Sequence, residues 1–503
     1  MLFNSAPFLV FFPAVLVVNF LLPHRARGLW LLVTSLVFYM CWSPAYVLLM
    51  LTSILATYLC GRLIAWCRAA RDAGKAGWIH DPRLYVGLCL TLNLGILFFF
   101  KYYTFAAESL VGLLSAWGVR WRPPAVDVLL PVGISFYTFQ ALGYTVDVYR
   151  GVLPAERNLL SYALFVSFFP QLVAGPIERS ASLLNQLKRR RPFDPEQVKS
   201  GAMVMLWGYF QKMVIADRAA VLVDQVYGQP AAYGGGALLV ATVLFAIQIY
   251  CDFGGYSAIA LGAAKILGID LMQNFRQPYL ALSVSDFWRR WHISLSTWFR
   301  DYLYIPLGGN RKGVARKYLN TLITFLLSGL WHGANWTYVV WGGLNGLFQI
   351  AGDMKNRLFK RLRASWHERA PIKRDCFSYR LFQRIVTFAL ICLSWVFFRA
   401  QSVQEALEIL GKILTLNDPW VFFDGSLCAW GLSRLEWDIL VCAIAALWAV
   451  DLAHERGISL RERLEKQNLL FRWAAYLFGV MIILLFGQYG VGFDAAQFIY
   501  FQF

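Results

Sequence analysis

Long unbroken apolar runs dominate the pattern along this chain. Residues 8–22, 29–41 and 84–100 carry no charge at all, and similar runs recur along the whole length. A helix needs about 20 mostly apolar residues to cross the hydrocarbon of a bilayer, so the recurrence predicts roughly 11 to 13 membrane-embedded helices. Strands of a membrane barrel would alternate apolar and polar residues in short segments instead. The fold class expected is therefore an all-α polytopic membrane protein.

Punctuation between the runs gives the organisation. No Lys or Arg precedes the first run, and no small-residue cleavage site follows it before Pro23 and His24, so it reads as a retained first span. Residues 29–41 and 46–66 are joined at Ser43 and Pro44, which predicts a hairpin of two spans. No internal repeat, linker or low-complexity tract is visible, so residues 1–503 are expected to form a single integral-membrane domain.

Composition agrees: 58% of residues are hydrophobic and only 15% charged, with a mean hydropathy of +0.51. The formal net charge of +18 invites a nucleic-acid reading, but the basic residues lie in short loops between apolar runs, where membrane topology explains them. Loops rich in Lys and Arg stay in the cytoplasm. That places residues 24–27, 68–83, 188–191, 289–317, 355–384 and 455–472 inside. The stretch 401–438 carries just Lys412 and Arg434 as basic residues and is expected outside, as is the C-terminus. The sequence assigns no orientation to residues 101–158. Nine cysteines, an odd number with no C-x-x-C pair, predict neither a disulfide framework nor a metal site.

Ionisable residues within membranes ask for a reason, because insertion costs roughly 2.5 to 3.5 kcal/mol for a charge at mid-helix. Of six histidines, His24, His80, His367 and His454 sit in basic loops. His332 lies between apolar runs, in LLSGLWHGANW at 326–336. Fourteen helical residues from Tyr318 rise about 21 Å, past the bilayer midplane. A neutral imidazole there can act as a general base or take an acyl group, and it can equally serve as a hydrogen-bonded helix contact. In the latter case Gly333 and Asn335 simply end the helix before Trp336 begins the next. His292 opens a loop whose seven basic residues, Arg289, Arg290, Arg300, Arg311, Lys312, Arg316 and Lys317, face the single acid Asp301. Its arginines suit the phosphates of an anionic donor, and its tryptophans suit a lipid-facing anchor. No nucleophile elbow, phosphate-binding glycine loop or paired zinc histidines occur, which argues against a serine hydrolase, an NTP-driven pump and a zinc protease.

Three segments, FWRRWHISLSTW at 287–298, DYLYIPLGGNR at 301–311 and GLWHGANW at 329–336, resemble the membrane-bound O-acyltransferase family, and more narrowly its bacterial alginate O-acetylation branch. LPVGISFYTF at 130–139, FPQLVAGP at 169–176 and CDFGGYS at 251–257 support the resemblance, which is close over about residues 1–353. It implies a motif-bearing core at about 128–353, followed by C-terminal spans and an aromatic tail at 380–503. It also implies many helices ringing a thin centre pierced by a tunnel, with His332 and His292 as catalytic residues. The donor implied is acetyl-coenzyme A, near Arg289 and Arg290, with no bound cofactor. Asn335 or Trp331 would stabilise the oxyanion. An extracytoplasmic SGNH-type acetyltransferase would modify a polysaccharide, with membrane lipids as the other partner. The final residues FIYFQF at 498–503 resemble a terminal aromatic motif in which a tyrosine relays the acyl group, here Tyr500. The location implied is the bacterial inner membrane. Competing readings are a D-alanyl or lipid acyltransferase, and a transporter without acyl chemistry, whose paired repeats are not seen here.

Overall fold

The computed structural model describes residues 1–75, 77–124, 130–172, 175–365 and 376–490. Every regular element among them is helical, and there is no strand. Five helical stretches are long and apolar enough to cross a membrane: Pro44–Asp72, Pro82–Ala116, Gly235–Ile266, Phe377–Arg399 and Leu469–Phe486. Contacts divide the chain into two compact units, residues 1–205 with 257–272, and residues 206–256 with 273–503.

The first unit contains α1 (Ala6–Leu21), α2 (His24–Met40), α3 (Pro44–Asp72), α4 (Pro82–Leu97), α5 (Ile134–Arg150), α6 (Leu159–Ser167) and α7 (Ser180–Lys188). The hairpin expected at Ser43 and Pro44 is present, with Pro44 as the first residue of α3, where its missing N–H costs nothing. Small and hydroxylic residues join these helices, as they do wherever lipid on both sides removes the hydrophobic drive for helix association. Tyr162 donates to Thr57 Oγ1 at 2.7 Å and Ser53 donates to Asn93 Oδ1 at 2.6 Å. Gly61 lets the Tyr144 ring lie against α3; an added Cβ would stand 2.9 Å from its hydroxyl.

The second unit is built around the long α8 (Gly235–Ile266, which also contributes to the first), the short α9 (Val284–Arg290) and α10 (Ile293–Phe299), and the pair α11 (Val314–His332) and α12 (Trp336–Ser365). It closes with α13 (Phe377–Arg399), α14 (Val403–Thr415), α15 (Arg434–Glu455) and α16 (Leu469–Phe486). α11 and α12 cross on glycine: an added Cβ at Gly329 would collide with the Tyr338 carbonyl oxygen and stand 3.1 Å from the Gly342 Cα. Before α8, residues Phe210–Ala216 form a π-helical turn holding Lys212, whose ammonium lies 2.8 Å from Asp217 Oδ1 and 2.6 Å from Asp252 Oδ1, all three side chains buried. The stretch 401–438, expected as an extracytoplasmic loop, contains the amphipathic α14, which buries Ala406 and Ile409 and leaves Leu407 and Leu414 exposed.

Candidate active site

His292 sits between α9 and α10 with a left-handed backbone, φ 43° and ψ 53°. For a non-glycine residue this conformation costs about 1–3 kcal/mol and persists where surrounding structure enforces it. Asn274 enforces it here: its carbonyl accepts from the Ile293 N–H at 3.0 Å and its side chain from the Ser294 N–H at 3.4 Å. The break turns the fully buried His292 imidazole inward, edge-on to Phe253 at 4.7 Å. On the other side α11 ends at His332, so the C-terminal turn carries this imidazole, which is 4% exposed.

The two histidines, forty positions apart in sequence, have ring centroids 6.2 Å apart at 63°. That exceeds what two directly hydrogen-bonded imidazoles require. Trp331 flanks both, at 6.0 Å from His292 and 5.0 Å from His332. The His332 ring is further enclosed by Trp341 at 5.1 Å and Phe398 at 5.5 Å, and Trp341 stacks on Trp395 at 5.6 Å. Gly333 is required here, since an added Cβ would run into the Tyr338 ring.

A cavity of about 760 Å³, within the size range of ligand pockets, reaches Ile293 next to His292 and Ser328 before His332, though neither imidazole lines it. Arg289, Arg300, Tyr304, Lys317 and Tyr318 line it, together with Thr321, Thr324 and Ser328 along one face of α11. Ser328 precedes His332 by one helical turn, about 5.4 Å. Trp288 and Phe325 line the cavity too; the Trp288 indole donates to Asn345 Oδ1 at 3.1 Å and meets Trp341 at 5.6 Å. Lys317 is held by Asp353 at 2.8 Å and Arg300 by Asp301 at 2.8 Å. Among the described residues no carboxylate pairs with Arg289.

The remaining expected site residues lie elsewhere. Arg290 is bound through two nitrogens to Glu455, at 2.6 and 3.2 Å, and to Asp286 at 3.1 Å, away from the cavity lining. Asn335 caps α12, accepting from the Thr337 N–H at 3.0 Å and donating to the Gln401 carbonyl at 3.1 Å. Tyr500 and the 498–503 motif lie outside the described residues. Sequence reasoning overlooked Trp288, Trp341, Asn345 and Phe398, and also the Lys212 trio. The trio carried a readable signal, a lysine and two aspartates inside apolar text. The aromatic enclosure carried none, because tryptophans are common throughout the chain.

Comparison with known proteins adds the context of relatives. Residues 152–374 match the membrane-bound O-acyltransferase family. The chain is 38% identical over 427 residues to a probable alginate O-acetylase AlgI of Pseudomonas putida, covering 83% of this chain and 81% of that one. It is 33% identical to a peptidoglycan O-acetyltransferase of Helicobacter pylori, covering 83% and 80%. It is 29% identical to a teichoic acid D-alanyltransferase of Streptococcus thermophilus, covering 44% and 56%.

Proposed function

Because this chain belongs to the membrane-bound O-acyltransferase family and is an acyltransferase, we propose that it takes acetyl groups from cytoplasmic acetyl-coenzyme A and passes them outward for O-acetylation of an extracytoplasmic polysaccharide. The observation that carries this reading is the pair of buried imidazoles 6.2 Å apart, one helical turn from a basic cavity. Acetyl is favoured over D-alanyl because the relatives named for acetyl transfer are similar along four-fifths of their length, whereas the D-alanyltransferase is similar over little more than half.

In this reading the donor's phosphates meet Arg289, whose planar fork suits them, and Arg300 and Lys317 add positive charge at the same cavity. The thioester runs along the Thr324–Ser328 face toward His332. His332 takes the proton of the acceptor hydroxyl as its oxygen attacks the thioester carbonyl. The C–S bond then breaks, and the proton passes to sulfur to give the free thiol of coenzyme A. His292, whose ring centre lies 6.2 Å from that of His332, orients the reacting group. The acetyl ester leaves on the acceptor oxygen, for which Tyr500 is the candidate within this chain, and an SGNH-type acetyltransferase outside completes transfer to the polymer. The charged donor never crosses the hydrocarbon. This requires a path through the protein for the acetyl group alone, the basic loops inside and the C-terminus outside, in a bacterial inner membrane.

The test is release of free thiol from acetyl-coenzyme A by the purified protein. Removing a general base costs about 10²–10⁴ in rate, so His332→Ala, at normal abundance, should lose thiol release and polymer acetylation together. Unchanged acetylation in cells carrying that variant would refute the assignment.

A further inference from the structure

The end of α1 makes a tight corner through Pro23 into α2, and residues 189–194 after α7 pack against it. Phe20 and Phe193 meet edge to face at 5.1 Å. Two arginines share this corner with different fates. Arg27, in the first turn of α2, donates Nε to the Leu22 carbonyl at 3.0 Å, Nη2 to the Phe20 carbonyl at 3.3 Å and Nη1 to the Arg191 carbonyl, and its guanidinium stands 5.4 Å over the Phe20 ring. It thereby satisfies carbonyls that the end of α1 leaves without intrahelical partners.

Arg191 has no such employment. It is 8% exposed, and its stem lies against Gly268, where an added Cβ would stand 3.2 Å from it. Yet its Nη1 is buried with no hydrogen-bond partner, and among the described residues no carboxylate pairs with Arg191 or Arg27. Burial, and then the charge on Arg27, lower the Arg191 guanidinium to about 10, which still leaves it charged at neutral pH. A buried, charged donor next to a second cation is costly unless an anion completes it. The rim is of two kinds: Leu21 and Phe193 are exposed and apolar, while Arg189 and Arg190 are exposed and cationic.

We propose that this corner binds the phosphate of an anionic phospholipid, held by Arg191 between the α1–α2 turn and residues 189–194, with Leu21 and Phe193 against its acyl chains. A guanidinium fork matches phosphate oxygens, and basic pockets at the ends of membrane helices suit anionic headgroups. The apolar rim selects a lipid over a free anion, since inorganic phosphate gains nothing from Leu21 or Phe193.

Native mass spectrometry of the full chain in neutral detergent tests this with dioleoyl phosphatidylglycerol, dioleoyl phosphatidylcholine and inorganic phosphate as probes. One phosphatidylglycerol should be retained about tenfold more tightly than phosphatidylcholine, and Arg191→Gln should abolish that preference. Independently of any variant, a photoreactive phosphatidylglycerol should crosslink the wild-type chain at residues 189–194 or at the α1–α2 turn. The proposal is overturned if Arg191→Gln keeps the preference, if millimolar phosphate displaces the lipid, or if crosslinks fall elsewhere.

Discussion

The glycine crossing of α11 and α12 makes a quantitative demand on catalysis. In Gly329→Ala the new methyl would overlap the Tyr338 carbonyl oxygen, whereas in Gly343→Ala, on the same helix pair, it would meet only Leu326 Cδ2 at an ordinary 3.4 Å. Carbon and carbonyl oxygen rest comfortably at about 3.3–3.6 Å, so α11 must retreat from α12 by roughly 1 Å to admit the first methyl. Both variants gain the same helix propensity, about 1 kcal/mol, which therefore cancels in the comparison. What remains is overpacking, about 1–3 kcal/mol. Because α11 ends at His332, the same retreat displaces the imidazole, and a misplacement of about 1 Å costs on the order of 10²-fold in rate. The assays are unfolding of the two purified variants in one detergent and thiol release from acetyl-coenzyme A. Gly329→Ala should be less stable than Gly343→Ala and about 10²-fold slower. Equal stability and equal rate would refute the reasoning.

Three further outcomes are expected. Lys212→Met leaves the carboxylates of Asp217 and Asp252 buried without their cation and should cost about 3–5 kcal/mol; adding Asp217→Asn and Asp252→Asn should restore most of the loss in thermal unfolding. Asn345→Ala removes the acceptor of the Trp288 indole and should destabilise by about 1–3 kcal/mol, while the exposed Gln404→Ala measured alongside should not. Tyr500→Phe removes a hydroxyl alone and should abolish polymer acetylation; full activity would eliminate the relay.

Local features were the legible ones. The apolar runs announced the helices, and Gly333 with Asn335 marked the break at which α11 ends and α12 begins. Nothing local could announce what depends on distant packing. The approach of His292 to His332 depends on a left-handed residue fixed by Asn274, and Arg290 finds Glu455 across 165 positions. That pairing removes Arg290 from the cavity and leaves Arg289 there, a distinction two adjacent arginines cannot reveal by themselves. α14 was hidden for another reason: its acidic residues Glu405 and Glu408 interrupt the apolar text, although Val403, Ala406, Leu410 and Ile413 keep a helical spacing.

The Lys212 trio also bears on how the chain enters its membrane. A lone lysine or aspartate at the middle of a membrane helix carries an insertion cost of roughly 2.5 to 3.5 kcal/mol; here the three groups lie on stretches separated by as many as forty residues, with Asp252 inside a helix long and apolar enough to cross. Lys212 and Asp217 can neutralise each other on one stretch, whereas the helix bearing Asp252 finds its cation only on that other stretch. The burial of the Asp252 carboxylate within its apolar helix is therefore tied to the stretch that carries Lys212, forty positions earlier.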